Sequence, residues 1–144
     1  MKTRFSSLVN VKKNTMQKSE SALQKANAAF LNAQEALATS LQQLQDFTPP
    51  TDGQIANFLA HRTLLDAQRA VIAENEERVR VSKDAMQKAK EQLQLDTIEY
   101  EKFKYLEFEE QKALLKKLKI KEAKDLDEIA LMTFANKTMQ KANL

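Results

Sequence analysis

The residues Thr48–Gly53 have the sequence TPPTDG and decide the fold of this chain. They contain both prolines and the only glycine among its 144 residues. Two successive prolines end a helix that arrives from Phe47, because proline lacks an amide donor and disfavours helix in the residue before it. Thr51 and Gln54 have the spacing of a capping box, which predicts that a second helix starts directly afterwards. We therefore expect two long helices with one reversal between them.

The composition of the whole chain is typical of long helices and coiled coils. Aromatic residues account for 6% of the sequence and charged residues for 30%. There is no cysteine, which excludes disulfides and thiolate metal sites, and neither a metal nor a cofactor is expected. The net charge of +3 is too small to indicate nucleic acid as a partner, and no nucleic-acid-binding motif is present.

The expected architecture is an all-α antiparallel two-helix coiled-coil hairpin that forms a single domain over residues 1–144. We expect helix one over about residues 2–47, the turn over 48–53, a longer helix two over about 54–132, and a polar tail over 135–144. The basic N-terminal residues contain only a short, broken apolar run, unlike a secretory signal. No stretch has the roughly 18 apolar residues of a membrane span, so we expect no membrane insertion.

A seven-residue repeat on both sides of the turn supports this architecture. In an antiparallel pair the a positions of one helix face the d positions of the other. On helix one the a positions are Val9, Met16, Leu23, Phe30, Leu37 and Leu44. On helix two they are Phe58, Leu65, Ile72, Val79, Met86, Leu93 and Tyr100. The d positions are mostly small or polar, and the histidine among them, His61, is interpreted as a packed polar layer rather than a metal ligand.

The tightest closure of the turn predicts the register of the pair, with Phe47 opposite Phe58. In nearly every layer of this register a large side chain meets a small or polar one, so the volumes are complementary. Other layers include Ala33 with Ile72, Ser19 with Met86 and Lys12 with Leu93. Everything beyond about Phe103 then has no partner on helix one.

The part of helix two beyond that point combines charge with apolar surface. Five of the nine aromatic residues lie from Tyr100 onwards, and residues 99–128 contain eight lysines and nine acidic residues. The charges indicate a solvated face. The apolar residues indicate a covering partner, because a free helix does not stably expose so much apolar surface. Two alternatives remain open: the helix breaks near Ile120 and folds back, or it self-associates.

The two flanks of the seam differ in polarity. One flank carries Ala22, Ala29, Ala36, Leu64, Val71 and Ala85, whereas the other is mostly polar. The apolar flank either binds a partner or widens the seam by burying its own alanines. A two-helix chain with no nucleophile beside a base and no phosphate-binding glycine loop is not expected to be an enzyme.

Three parts of the sequence together resemble the FliJ family of flagellar type III export proteins. They are the opening Arg4, Phe5, Leu8, Val11, Lys12 and Lys13, the turn near residue 50, and the segment Glu99–Ala130 with its ending Lys124–Ala130. The resemblance implies a cytoplasmic, non-enzymatic protein at the base of the flagellar export apparatus, with a stalk-like shape similar to the gamma subunit of rotary ATPases. Its implied partners are the hexameric flagellar export ATPase, the cytoplasmic domain of the membrane export gate protein and, in some members, export chaperones.

The resemblance also assigns residues to two of these partners. Matching the two terminal motifs, the ATPase-binding residues would be Phe5, Leu8, Tyr105, Phe108, Lys124, Leu126, Asp127 and Glu128. Matching an apolar face partway along the hairpin, the gate-binding residues would be Leu64, Ala67 and Val71. An injectisome stalk protein, a generic dimeric coiled-coil scaffold and a regulatory subunit of another rotary ATPase remain as alternatives.

Overall fold

A computed structural model describes residues 2–142 and shows an all-helical fold within them. Helix α1 spans Ser6–Gln45 and helix α2 spans Ile55–Ala142, and no strand occurs among the described residues. The all-α fold with two helices is therefore confirmed. Both helices are long because no glycine or proline interrupts either one.

The connection between the helices occupies residues 46–54 and contains both prolines. Gly53 has a backbone φ of 134°, a conformation that side-chain-bearing residues rarely adopt. A Cβ at this position would also lie 2.8 Å from the side-chain amide of Asn57. The backbone amide of Asn57 donates to the carbonyl of Gln54 at 2.9 Å, which forms the first turn of α2. The capping box expected at Thr51 is not formed, since Thr51 makes no hydrogen bond within residues 2–142.

The chain divides into two compact units, where a single hairpin domain was expected. The terminal unit consists of Met1–Lys12 with Glu99–Leu144, and the loop unit consists of Lys13–Ile98. Each unit contains part of α1 and part of α2, so each has its own helix–helix contacts.

In the loop unit the shielded side chains follow the predicted seven-residue repeat. Ser19, Ala33 and Ser40 are buried on α1, as are Ile72 and Asn75 on α2. The half-buried residues extend the same spacing of three and four. On α1 they include Met16, Leu23, Ala26, Phe30, Leu37 and Leu44, and on α2 Leu65, Gln68, Val79, Ser82, Met86, Ala89 and Leu93. The seam is thus shallow and mixes apolar with polar side chains.

Contacts within the loop unit contradict the register predicted from the tightest turn. The ring of Phe47 lies 6.3 Å from that of His61, and the side-chain amide of Gln68 donates to the carbonyl of Ser40 at 2.8 Å. Further along, Asn75 donates to the carbonyl of Ala36, and Ser19 to the carboxylate of Asp96.

As α1 numbers fall, the partner numbers on α2 rise, which is the order that an antiparallel pairing requires. The partners lie three to ten residues further along α2 than predicted, so the register is wrong by roughly one heptad. The predicted pair Ser19 with Met86 is the clearest case, because the contact of Ser19 is with Asp96. The cause is the turn, which leaves residues 55–60 exposed, so that the first α2 partner of Phe47 is His61 and not Phe58.

Helix α2 also extends further than the sequence patterns indicated. It runs to Ala142, so residues 135–142, expected as a polar tail, are helical. The hydroxyls of Thr133 and Thr138 donate to the carbonyls of Ile129 and Phe134, one turn earlier. No proline or glycine follows Gly53, and the polar residues here have adequate helix propensity. The alternative of a break near Ile120 is therefore not observed.

Candidate functional surfaces

The N-terminal end of α1 is held by a reciprocal cap. The amide of Thr3 donates to Oγ of Ser6 at 2.8 Å, and the amide of Phe5 donates to Oγ1 of Thr3 at 3.1 Å. This pattern satisfies amides that the first helical turn leaves without carbonyl partners. It fixes the backbone at Phe5, one of the residues assigned to ATPase binding, directly before α1.

Two polar contacts join this end of α1 to α2 within the terminal unit. Nε of Arg4 lies 3.1 Å from Oε2 of Glu110, and Oγ of Ser6 donates to Oε1 of Glu107 at 3.0 Å. The guanidinium of Arg4 also lies 5.0 Å from the centre of the Phe5 ring. Within residues 2–142, Glu110 is the last residue of α2 with an ion pair to the N-terminal residues, and its partner Arg4 lies just before α1.

A third contact lies at Lys12, which the heptad pattern places in the seam. Its ammonium nitrogen lies 3.7 Å from Oε2 of Glu99 and 5.5 Å from the centre of the Phe103 ring. A cation above an aromatic face is attracted by the quadrupole of the ring. The predicted layer of Lys12 with Leu93 is replaced by this pairing with Glu99, which follows from the shifted register.

The first group of assigned ATPase-binding residues lies in this contact region of the terminal unit. Phe5 is half-buried and Leu8 is exposed on α1. Tyr105 and Phe108 on α2 are 62% and 59% exposed, whereas the neighbouring Phe103 and Leu106 are half-buried. The seam thus shields Phe103 and Leu106, whereas the rings of Tyr105 and Phe108 face solvent. Phe108 lines an open groove with Gln111, Lys112 and Leu115.

The second group lies apart from the first. Lys124, Leu126, Asp127 and Glu128 are all exposed, and Leu126 is 66% exposed. Lys124 follows Glu110 by 14 residues, which is about 21 Å along a helix. The eight assigned residues therefore form two clusters on the terminal unit rather than one.

All residues of α2 from Lys112 to Ala142 are exposed. This begins about one heptad later than Phe103, the end of pairing expected from the sequence. The exposed apolar side chains include Leu114, Leu115, Leu118, Ile120, Leu126, Ile129, Leu131, Met132, Phe134 and Met139. We call residues 112–142 the unpaired segment.

The assigned gate-binding residues lie in the loop unit on α2. Leu64, Ala67 and Val71 are all exposed, and their spacing of three and four places them on one face of the helix. Val71 lines an open groove with Ala36 and Asn75.

The apolar flank that contains Leu64 and Val71 is not a wider buried seam. Of its members Ala22, Ala29, Leu64, Val71 and Ala85 are exposed, and only Ala36 is half-buried. Its alanines are therefore available to a partner, as the first interpretation of the flank requires.

Sequence reasoning missed a second exposed apolar pair in the loop unit. Leu95 and Ile98 are both exposed, and Ile98 lines an open groove with Leu23, Leu93 and Thr97. Their signal in the sequence is two large apolar residues at positions of the heptad that point away from the seam.

The electrostatics of the loop unit are local. Arg80 lies within hydrogen-bonding distance of Glu77 and Asp84, one turn before and after it on α2, with Nε 3.0 Å from Oε2 of Glu77. The hydrogen bond from Arg80 lowers the pKa of Glu77 and raises the pKa of Arg80 itself. Such a pair supports the helix without marking a reactive group, because both side chains face solvent.

The described residues offer no metal centre and no membrane span. Within residues 2–142, no cluster of three or more His, Asp or Glu is placed to hold a metal ion. Neither helix, over the part of the chain that the structure describes, contains a segment long and apolar enough to cross a bilayer.

Comparison with known proteins assigns the chain to a family. The family model described as "Flagellar FliJ protein" matches residues 1–139, nearly the whole chain. No match was found among curated proteins or among solved structures. The family match agrees with the resemblance carried by the two terminal motifs. The chain belongs to the FliJ family and is a non-enzymatic component of flagellar type III export.

Proposed function

We propose that the terminal unit binds the hexameric flagellar export ATPase and that the Leu64–Ala67–Val71 face binds the cytoplasmic domain of the membrane export gate protein. The observation that carries the ATPase proposal is the apolar surface that α1 leaves uncovered at three of the assigned residues, Tyr105, Phe108 and Leu126. Exposed apolar surface of this extent is typical of an interaction site.

The two clusters of the terminal unit would contribute differently to ATPase binding. Tyr105 and Phe108 offer broad, rigid rings, the kind of side chain that supplies most binding energy at interfaces. Lys124, Asp127 and Glu128 offer charges of both signs, which orient a partner and speed association more than they add affinity. The protein would thus act on the conformational cycle or assembly of the ring and not on ATP itself.

The gate-facing role rests on the apolar flank of the loop unit. Leu64 and Val71 are large and exposed, and they lie beside the seam and not in it. A partner therefore reaches them without separating α1 from α2. A protein with ATPase contacts in one unit and gate contacts in the other would link the two parts of the export apparatus. This role places it on the cytoplasmic side of the flagellar base, and export chaperones are further proposed partners by family resemblance.

The test of the ATPase proposal is ATP hydrolysis by the purified cognate export ATPase with and without this protein. We expect stimulation by the natural chain and its loss in the double variant Tyr105→Asp with Phe108→Asp, because charge replaces the exposed rings. The matched control is Leu95→Asp with Ile98→Asp, which places the same two charges at similarly exposed positions of α2 in the loop unit. Circular dichroism of each variant checks that the helices persist.

Two results would contradict the ATPase proposal. One is stimulation that survives the double variant, and the other is the absence of both stimulation and co-assembly with a folded natural chain. In the second case, a dimer in analytical ultracentrifugation would favour a scaffold that covers the unpaired segment with a second copy.

The gate proposal is tested separately by binding to the isolated cytoplasmic domain of the gate protein. Leu64→Asp with Val71→Asp is expected to abolish binding, whereas Val81→Asp, exposed on the same helix but outside the assigned face, is expected to retain it. Equal binding by all three chains would exclude this face.

A further inference from the structure

A concentrated basic stretch opens the unpaired segment. Residues 112–124 have the sequence KALLKKLKIKEAK, with six lysines and one glutamate, which gives a net charge of +5. The whole chain carries +3, so the remaining residues together carry −2. We call residues 112–124 the basic segment.

The basic segment separates its charged and apolar side chains around the helix. An α-helix turns by about 100° per residue. Leu114, Leu115 and Leu118 therefore fall within an arc of about 100°, and Phe108 and Leu126 lie beside it. Ile120 lies on the lysine side and Glu122 on the leucine side, as the two exceptions.

Lysines border this apolar arc on both sides. Lys112 and Lys119 follow one edge, Lys117 and Lys121 follow the other, and the remaining lysines lie opposite the leucines. Lysine side chains in this position extend their ammonium groups away from an apolar layer while their methylene stems lie along it.

The structure leaves this face free to bind. Every residue of the basic segment is exposed, including Leu114, Leu115 and Leu118. None of its lysines has an ion pair among residues 2–142. The last described ion pair between α2 and the N-terminal residues, that of Glu110 with Arg4, precedes the segment.

We propose that the basic segment lies on the surface of an anionic lipid bilayer, with its leucines at the headgroup–acyl boundary and its lysines on lipid phosphates. A helix with an apolar arc bordered by lysines is the arrangement of interfacial amphipathic helices. Anionic headgroups supply the complementary charge for an excess of +5 that the chain itself leaves unpaired. Because neither described helix is apolar enough to span a bilayer, the contact is at the surface. This inference does not rest on the ATPase or gate proposals.

The test is co-sedimentation of the full chain with vesicles rich in phosphatidylglycerol and with vesicles of phosphatidylcholine alone. We expect binding to the first and not to the second, and weaker binding as salt is added, since salt screens the lysines. The triple variant Lys116→Glu, Lys117→Glu, Lys119→Glu is expected to bind at least about 100-fold more weakly, since each lysine lost near an anionic surface costs about fivefold and each new glutamate is repelled in addition.

The matched control changes net charge equally at another place. Lys83→Glu, Lys88→Glu, Lys90→Glu reverses three exposed lysines of α2 in the loop unit, and it is expected to bind at least 10-fold more tightly than the basic-segment variant. A second variant, Leu115→Asp with Leu118→Asp, keeps every lysine and is expected to lose binding because the apolar arc is interrupted. These side chains do not pack on α1, so helix content should stay unchanged in circular dichroism.

Three outcomes would overturn the proposal. They are no binding of the natural chain to anionic vesicles, equal loss in the two triple variants, and full binding by the leucine variant. If vesicles are not bound but the basic-segment variant fails to stimulate the export ATPase, the lysines contact an acidic protein surface instead of lipid.

Discussion

Two regions of the same helix, residues 61–111 and residues 112–142 of α2, differ in what covers them. In the first region every third or fourth side chain is buried or half-buried, including Ile72, Asn75 and Phe103. In the second region no side chain is shielded, although apolar residues are as frequent. Both regions are helical. Helix formation here therefore does not depend on a partner helix, whereas burial of the seam depends on α1 alone.

The same comparison holds for charge. In the terminal unit, α2 forms two ion pairs with the N-terminal residues, Glu99 with Lys12 of α1 and Glu110 with Arg4 just before α1. Beyond Glu110 the described chain has no ion pair, although residues 112–124 contain six lysines. Beyond the N-terminal end of α1, both the apolar and the charged side chains of α2 are exposed and available to an external partner.

The largest expected effect tests the pairing itself by crosslinking. Cysteines replacing Ser19 and Asp96, joined by a short bifunctional maleimide, should crosslink within one chain, because these side chains are in contact. Cysteines replacing Ser19 and Met86 should not, since Met86 lies ten residues, or about 15 Å, earlier on α2. The chain has no cysteine of its own, so the background is clean. Efficient crosslinking of the second pair alone would restore the register predicted from the turn.

The next effect compares one apolar side chain from each region. Ile72 is 8% exposed and Leu126 is 66% exposed. Ile72→Ala should lower the free energy of unfolding by about 2 kcal/mol, because it leaves a gap in the seam. Leu126→Ala should change it by less than about 0.5 kcal/mol, since the side chain packs on nothing in the chain. Urea titration followed by circular dichroism measures both values. Equal losses would mean that the unpaired segment is covered after all.

A smaller effect is expected at the polar part of the seam. Lys12→Ala should reduce the free energy of unfolding by about 1 kcal/mol, because it removes both the Glu99 contact and the Phe103 ring contact. The neighbouring Lys13→Ala is the control, since Lys13 is exposed and has neither an ion pair nor a ring contact among residues 2–142. Thermal unfolding of the two variants should separate them. If both behave alike, the Lys12 contacts contribute nothing to the pairing.

The smallest effect concerns the solvent-exposed face of the paired region, where side chains contact only their own helix. Arg80→Ala should return the lowered pKa of Glu77 towards its ordinary value, as measured by NMR titration. Because the folded pKa lies below the unfolded one, the pair stabilises the helix above the unfolded value and loses its contribution as the pH falls through the folded pKa. An unchanged pKa of Glu77 in Arg80→Ala would show that another group holds it down.

Sequence patterns predicted the helices and the seam better than the register and the helix end. The prolines and Gly53 located the reversal, and the seven-residue repeat named the shielded positions, because both depend on local backbone preference and on helical period. Seam positions recur every three or four residues, at a and at d, so shifting one helix by three, four or seven residues still brings seam positions opposite one another. The pattern alone therefore did not distinguish Phe58 from His61 as the partner of Phe47.

For the functional surfaces the same limit applies. The family and its two terminal motifs were recognisable in the sequence, and so was the apolar flank. The sequence did not show whether Tyr105 and Phe108 are covered, because this depends on where the N-terminal end of α1 lies along α2. The structure leaves both rings exposed while Phe103 and Leu106 are half-buried.

By itself the sequence determined an all-helical chain with one reversal, an apolar repeat on each helix and membership of the FliJ family. Only the tertiary structure decided the register, the split into two units and the point at Gln111 after which no described side chain of α2 is shielded. The physical reason is that helix and turn preferences act over a few residues. The position of one long helix along another depends instead on loop geometry and on the summed contacts of many weak, nearly equivalent layers.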